Sequence, residues 1–222
     1  MPKSVDKKSI LHVGVLLAIS ALTGTGVMAI TYNHAKDYIE ENNRQVLIRS
    51  LSSVLVEGDY NNNIIEDKII VTSQQYLGSK KPLTIYRARH DNQPVAAVLT
   101  TVAPNGYNGP IKLIIGIQYS GEIIGVRVVK HRETPGLGDG IEAERSDWVF
   151  SFNQRSLDNT GKKQWQVKKD GGVIDQLTGA TITPRAIVKA VHLGLRYYRE
   201  NRDTIFRHAE KRFDELKTAT TS

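Results

Sequence analysis

Three short segments of this 222-residue chain combine residue types that can do chemistry. The segment DQLTGATITP, residues 175–184, sets small residues and hydroxyls directly before the start of an expected helix. A helix N-terminus presents unpaired N–H groups and the positive end of the helix dipole, so a phosphate is favoured there. Gly179 lets the backbone approach a ligand closely, and Ala180 adds little bulk. Taken alone, so short a string of common residues also describes an ordinary loop leading into a capped helix. The segment HRETPGLGD, residues 131–139, reads as a tight, backbone-exposed loop whose His, Glu and Asp could meet a polar ring edge or a metal. A His-x-Glu pair with one distant Asp lacks the spacing of a zinc site, and no metal is expected. The segment KKDGG, residues 168–172, is either an exposed turn or a place where Lys168 or Lys169 faces an anionic ligand.

The elements that must position these segments follow from periodicity and punctuation. A long helix is predicted from Pro184, with Thr183 as N-cap and Ile187, Val188, Val191, Leu195 and Tyr198 on its buried side. Upstream lie five runs rich in Val, Ile, Thr and Tyr, near 69–72, 83–89, 95–102, 111–119 and 123–130. Asp91-Asn92, Asn105-Gly106, Asn108-Gly109 and Ser120-Gly121 separate them, which predicts a largely antiparallel sheet. Ser146-Asp147 precedes a short helix at 148–150, and 165–167 reads as one more strand. The fold class is α+β, with one N-terminal transmembrane helix followed by this sheet packed with helices.

Residues 10–32 contain no Asp, Glu, Lys or Arg, and as a helix they would extend roughly 35 Å, enough to span a bilayer. A cleaved signal peptide has a shorter apolar region, about 7–15 residues, and a small-x-small cleavage site, so a retained anchor is expected. Lys3, Lys7 and Lys8 precede the span against Asp6 alone, which leaves residues 1–9 in the cytoplasm and the rest outside. A helical stalk is expected over 33–58, a globular domain over 59–200 and a charged tail over 201–222. The formal charge is +7, but the basic residues from Arg185 onward are interleaved with acids, as on a solvated helix, and nucleic acid is not an expected partner. With no cysteine, the chain has no disulfide and no cysteine-ligated iron–sulfur cluster of its own, so any electron transfer needs another cofactor.

Taken in order, APNGYNGPI (103–111), HRETPGLG (131–138), KKDGG (168–172) and DQLTGAT (175–181) resemble the G component of the Rnf, or Rsx, ion-translocating electron transport complex. The resemblance runs from the N-terminal anchor through the long C-terminal helix. It implies an electron-transfer flavoprotein subunit of a membrane-bound oxidoreductase (translocase) complex, with FMN joined by a phosphoester to the last threonine of the (Ser/Thr)-Gly-Ala-Thr motif, here Thr181. A separate flavin transferase, using FAD, would make the bond, so Thr181 is an acceptor and no catalytic triad or independent catalytic site is expected in the chain. The resemblance further implies Glu133, Thr134, Gly136 and Leu137 as ring or phosphate neighbours. Asp175, Thr178, Gly179 and Ala180 would be motif residues that line the flavin or are read by the transferase. The partners implied are the other members of the complex and the transferase, and the location is the bacterial inner membrane, single-pass, with a periplasmic C-terminal domain. Two alternatives stand beside this reading: the C component of the sodium-translocating NADH:quinone reductase, which shares the attachment motif, and a membrane-tethered assembly module without flavin. The ETPGLG loop and the TITP sequence after Ala180 look more like the Rnf component.

Overall fold

The structure, a computed structural model, describes residues 7–207, and the chain divides into two units, Met1–Leu47 and Ile48–Ser222. Helix α1 spans Lys7–Ser52 without a break, and no Pro interrupts its run of backbone hydrogen bonds. Leu11, Leu16, Leu22 and Met28 are exposed along it. Thr23 and Thr25 donate their hydroxyls to carbonyls one turn back, at 2.6 and 2.8 Å, as expected for hydroxyls in an apolar helix. Among the described residues no helix is long and apolar enough to cross a membrane. The expected span includes Ile10, Val13 and Ile30, whose side chains lie outside the described ones. The expected stalk is helical as far as Ser52, after which turns carry the chain to the sheet.

The second unit is built on five antiparallel strands in sequence order: β1 (Lys68–Ser73), β2 (Ser79–His90), β3 (Gln93–Gly106), β4 (Gly109–Gln118) and β5 (Ile123–Lys130). All five predicted runs are strands. The two-residue turn at Asp91 and Asn92 has both residues at positive φ, 48° and 64°, the left-handed pair whose twist suits a tight hairpin. A short helix α2 (Gln74–Leu77), capped by Ser73, fills the β1–β2 connection and was not expected from the sequence.

Alternation along β3 and β4 sorts the side chains onto two faces. Ala97, Leu99, Leu113, Ile115 and Ile117 belong to the main core, which helix α3 (Ile182–Arg207) completes with Ile187, Val188, Val191, Leu195 and Tyr198, the side predicted for it. Each such aliphatic side chain contributes roughly 1.5–3 kcal/mol on full burial. Burial also pushes the Tyr198 phenol well above its ordinary value, so it stays neutral. On the opposite face, Gly116 and Gly125 pair across β4 and β5 and make a flat spot crossed by the backbone at Val54. A Cβ on Gly116 would fall inside the contact radius of the Val54 carbonyl oxygen. Gly116→Ala should therefore destabilise the domain by about 3 kcal/mol, the upper end of overpacking costs. A denaturant midpoint unchanged by that substitution would show that the crossing is loose.

Residues 165–167 are not a strand: a 3-10 turn at Lys162–Gln164 leads through them, and only Val167 bridges, in parallel, to Ile174. The backbone bends at Trp165 and Gln166 in place of running extended, and Trp165 and Val167 turn into the core while Gln166 stays exposed. The short helix expected after Ser146 is a 3-10 helix, Asp147–Phe152, with the Ser146 hydroxyl accepting from Trp148 N at 3.2 Å. Helix α3 runs on past residue 200, where the sequence placed the start of a tail, because Ile205 and Phe206 are buried. Residues 208–222 of that expected tail lie outside the described residues.

Candidate functional site

Helix α3 begins at Ile182, one residue after Thr181, and not at Pro184. Pro184 is tolerated inside the first turn because the first four N–H groups of a helix have no intrahelical partner. Thr183, expected as the N-cap, is instead fully buried and donates its hydroxyl to Glu133 Oε2. The carboxylate buried beneath the helix start competes successfully for that hydroxyl. Thr181 takes the position before the helix and is partly exposed. Among the described residues its hydroxyl enters no hydrogen bond with the protein.

Glu133 organises the neighbourhood. Its side chain is only 5% exposed, and its other oxygen accepts from the backbone N–H of Asn108 at 3.1 Å. Both oxygens are thus occupied within the protein, one by the β3–β4 hairpin tip and one by α3. Gly106 and Gly138 leave the room: a Cβ on either would come within 2.9 Å of the Glu133 side chain. Glu133 N donates to His131 Nδ1 at 3.1 Å, which places the imidazole proton on Nε2, where it meets Glu142 Oε1 at 2.6 Å. Thr134 accepts from Asn108 Nδ2 at 3.0 Å, and its carbonyl accepts from Gly138 N at 2.9 Å, closing the loop around Gly136 at φ +77°.

The two sequence segments meet across this framework. Leu137 lies against Gly179, so close that a Cβ there would stand 2.6 Å from the leucine Cδ2. Gly179 sits at φ +80° in the tight turn closed by Ala180 N donating to Leu177 O at 3.2 Å, a conformation that favours glycine. Leu177 in turn covers Gly140. The indole N–H of Trp148 donates to the Asp175 carbonyl at 2.6 Å and fixes the start of the segment. Thr178 and Asp175 are exposed. Leu137, against Gly179, and Ile182, next in sequence to Thr181, are each 48% exposed and leave apolar surface at the segment.

The third segment supports the second and is not a free cationic patch. Lys168 pairs with Asp175 at 2.6 Å. Asp170 receives two bonds of 2.6 Å from Arg185 in the first turn of α3, and this guanidinium holds its carboxyl below the ordinary range. These pairs are exposed, so they add little stability and serve to orient the segment. Asn108, Trp148 and Leu177 were missed as site residues. Asn108 and Leu177 lie within the 103–111 and 175–181 segments, and Trp148 is one of two tryptophans in the chain.

Residues 106–196 match the family model of an FMN-binding domain, and residues 1–54 match that of the RnfG N-terminal region. The first match contains both loops and the whole of the 168–184 stretch, so the framework just described belongs to the FMN-binding part of the chain. Over 200 residues, 90% of this chain and 93% of the relative, the sequence is 46% identical to the G component of the ion-translocating oxidoreductase complex of Pseudoalteromonas atlantica. Over 202 residues it is 41% identical to the component of the same name from Pseudomonas aeruginosa, covering 91% and 94% of the two chains. The crystal structure of Shewanella oneidensis NqrC aligns over 68% of this chain and 72% of that one, at 19% identity and a TM-score of 0.45.

Proposed function

This chain belongs to the RnfG family, the G components of ion-translocating oxidoreductase complexes, and we propose that its FMN is esterified through the phosphate to Thr181. Within such a complex it is the electron-transfer subunit, and FMN, when bound, supplies the one- or two-electron chemistry that the side chains lack. The observation that carries the attachment is the contrast between two threonines two residues apart. Thr183 is buried and its hydroxyl is committed to Glu133, whereas Thr181 is partly exposed and its hydroxyl has no hydrogen bond among the described residues.

The remaining residues then take definite roles. The Thr181 oxygen accepts the FMN phosphoryl group of FAD, its proton leaves and AMP departs, the base being supplied by a flavin transferase. A phosphate held on Thr181 lies at the start of a 26-residue helix, where the dipole and the first N–H groups favour its charge. Leu137 and Ile182 offer apolar surface to the ring, with Thr134, Gly136, Asp175, Thr178, Gly179 and Ala180 forming the surrounding loops. Glu133 acts by positioning, since both its oxygens tie the hairpin tip and α3 together. Intact mass of the full chain made with and without the transferase, followed by peptide mapping, tests the assignment. The expected gain is the mass of FMN less one water, located on the peptide containing Thr181. A gain mapped to any other peptide overturns it.

We propose further that residues 10–32, uncharged and within one continuous helix, anchor the chain in the inner membrane. Lys3, Lys7 and Lys8 then hold the N-terminus in the cytoplasm and the flavin domain faces the periplasm, beside the other members of the complex. Protease added to spheroplasts should digest the domain. Digestion only after lysis would reverse the orientation.

A further inference from the structure

Away from the flavin site, a cleft of about 380 Å³ opens between α3 and the 157–165 segment. His192, Arg196 and Arg199 follow one another at i, i+4 and i+7, so they share one face of α3. Lys162 enters from the opposite wall. The His192 ring stacks on Trp165 with centroids 5.5 Å apart and planes 3° apart, which fixes the imidazole in place. Trp165 is 4% exposed, a rigid backing for that ring.

The charge balance of the cleft is cationic. Three fixed positive groups, Lys162, Arg196 and Arg199, face one carboxylate in the lining, Glu200, which stands 3.7 Å from Arg196. Asp158 reaches Arg199 at 3.4 Å from outside the lining. Both pairs are exposed, the kind worth little and open to exchange for a better anion, although Arg196 also lies over the Tyr76 ring at 5.6 Å, with Glu200 bonded to the Tyr76 hydroxyl. Burial, together with Arg196, Lys162 and Arg199, holds His192 below its ordinary value, so the imidazole is a neutral group waiting beside an excess of positive charge. Nothing in the flavin framework uses these residues.

We propose that this cleft binds a phosphate monoester, with Arg196 and Arg199 providing planar forks of donors, Lys162 a point charge and His192 a proton-accepting partner. Guanidinium forks match phosphate oxygens two at a time, which a lone lysine cluster does not. The monoester can come from a free metabolite or from a phosphatidic acid headgroup, and the chemistry is the same.

The test uses the full flavin-loaded chain in detergent, with the His192 ring followed by NMR as inorganic phosphate is added against chloride at matched ionic strength. Phosphate is expected to raise the His192 pKa saturably, and Arg196→Gln to weaken the phosphate response by about 10-fold, the worth of one charged hydrogen bond. Lys162→Gln, on a separate segment, should weaken it as well, which guards against a local defect in α3. In vesicles, a shift caused by phosphatidic acid but not by phosphatidylcholine assigns the headgroup as source. A shift caused by free phosphate alone assigns a soluble ligand. The proposal is overturned if chloride gives the same shift as phosphate, if both variants respond like the wild type, or if neither phosphate source moves His192.

Discussion

A Thr181→Ala chain produced with the transferase is expected to carry no covalent flavin, while a Thr183→Val chain remains modified. After denaturing electrophoresis the wild-type band should fluoresce, the Thr181→Ala band should be dark, and the Thr183→Val band should fluoresce. The two substitutions exchange their effects on stability. Among the described residues the Thr181 hydroxyl makes no hydrogen bond that its loss would break, so the alanine variant should unfold within about 0.5 kcal/mol of the wild type, as ordinary surface changes do. Thr183→Val removes the donor to a buried carboxylate oxygen, and leaving that oxygen unsatisfied costs about 1–3 kcal/mol. A fluorescent Thr181→Ala band would dismiss the attachment site outright. A dark Thr183→Val band from folded protein would mean that the transferase reads the buried framework as well as the exposed hydroxyl.

The contrast between these threonines also marks how far the sequence could be read. Strands β1 to β5 were legible because β-branched runs and turn dipeptides are local signals, and so was the apolar side of α3. The segments at 131–139 and 175–184 could each be singled out from residue type. Their meeting could not, since Leu137 on Gly179 and Glu133 on Thr183 join residues about 40 to 50 positions apart. For the same reason Thr183 looked like an N-cap: its type and its place before Pro184 fit, and only the buried Glu133 decides against it. Residues 165–167 have strand-like composition, but the backbone bends at 165 and 166 and only Val167 bridges to Ile174, and α2 is a single turn, too short for any periodicity to show. The helix past residue 200 was hidden by its charges, which mask the two buried side chains, Ile205 and Phe206.

That stretch of α3 carries the second large effect, because the helix that starts beside Thr181 is held at its last described turn by a largely buried ion cluster. Asp67 Oδ1 accepts from Arg87 Nε at 2.6 Å and Asp67 Oδ2 from Arg89 Nε at 3.0 Å. The same arginines reach the last carbonyls of the helix, Arg87 to Ile205 O at 3.1 Å and Arg89 to Phe206 O at 2.6 Å. Both guanidiniums thus tie strand β2 to the last described turn of α3 through its carbonyl oxygens. Arg87 has a side chain only 5% exposed. Burial pushes its guanidinium below the ordinary value, and Asp67 is the group that opposes this. Asp67→Ala therefore strands a buried cation and should cost about 3–5 kcal/mol, read as a lowered urea midpoint by the fluorescence of Trp148 and Trp165, both buried in this unit. Adding Arg87→Met should restore much of the loss, since removing the charge removes the penalty for stranding it. The loosening should be strongest at the end of α3, with faster amide exchange at 203–207, while flavin loading at Thr181 persists in the folded fraction because Glu133 still holds the helix start. An unchanged midpoint for Asp67→Ala would mean that Arg87 is solvated through another route and that the helix end is held by Ile205 and Phe206 alone.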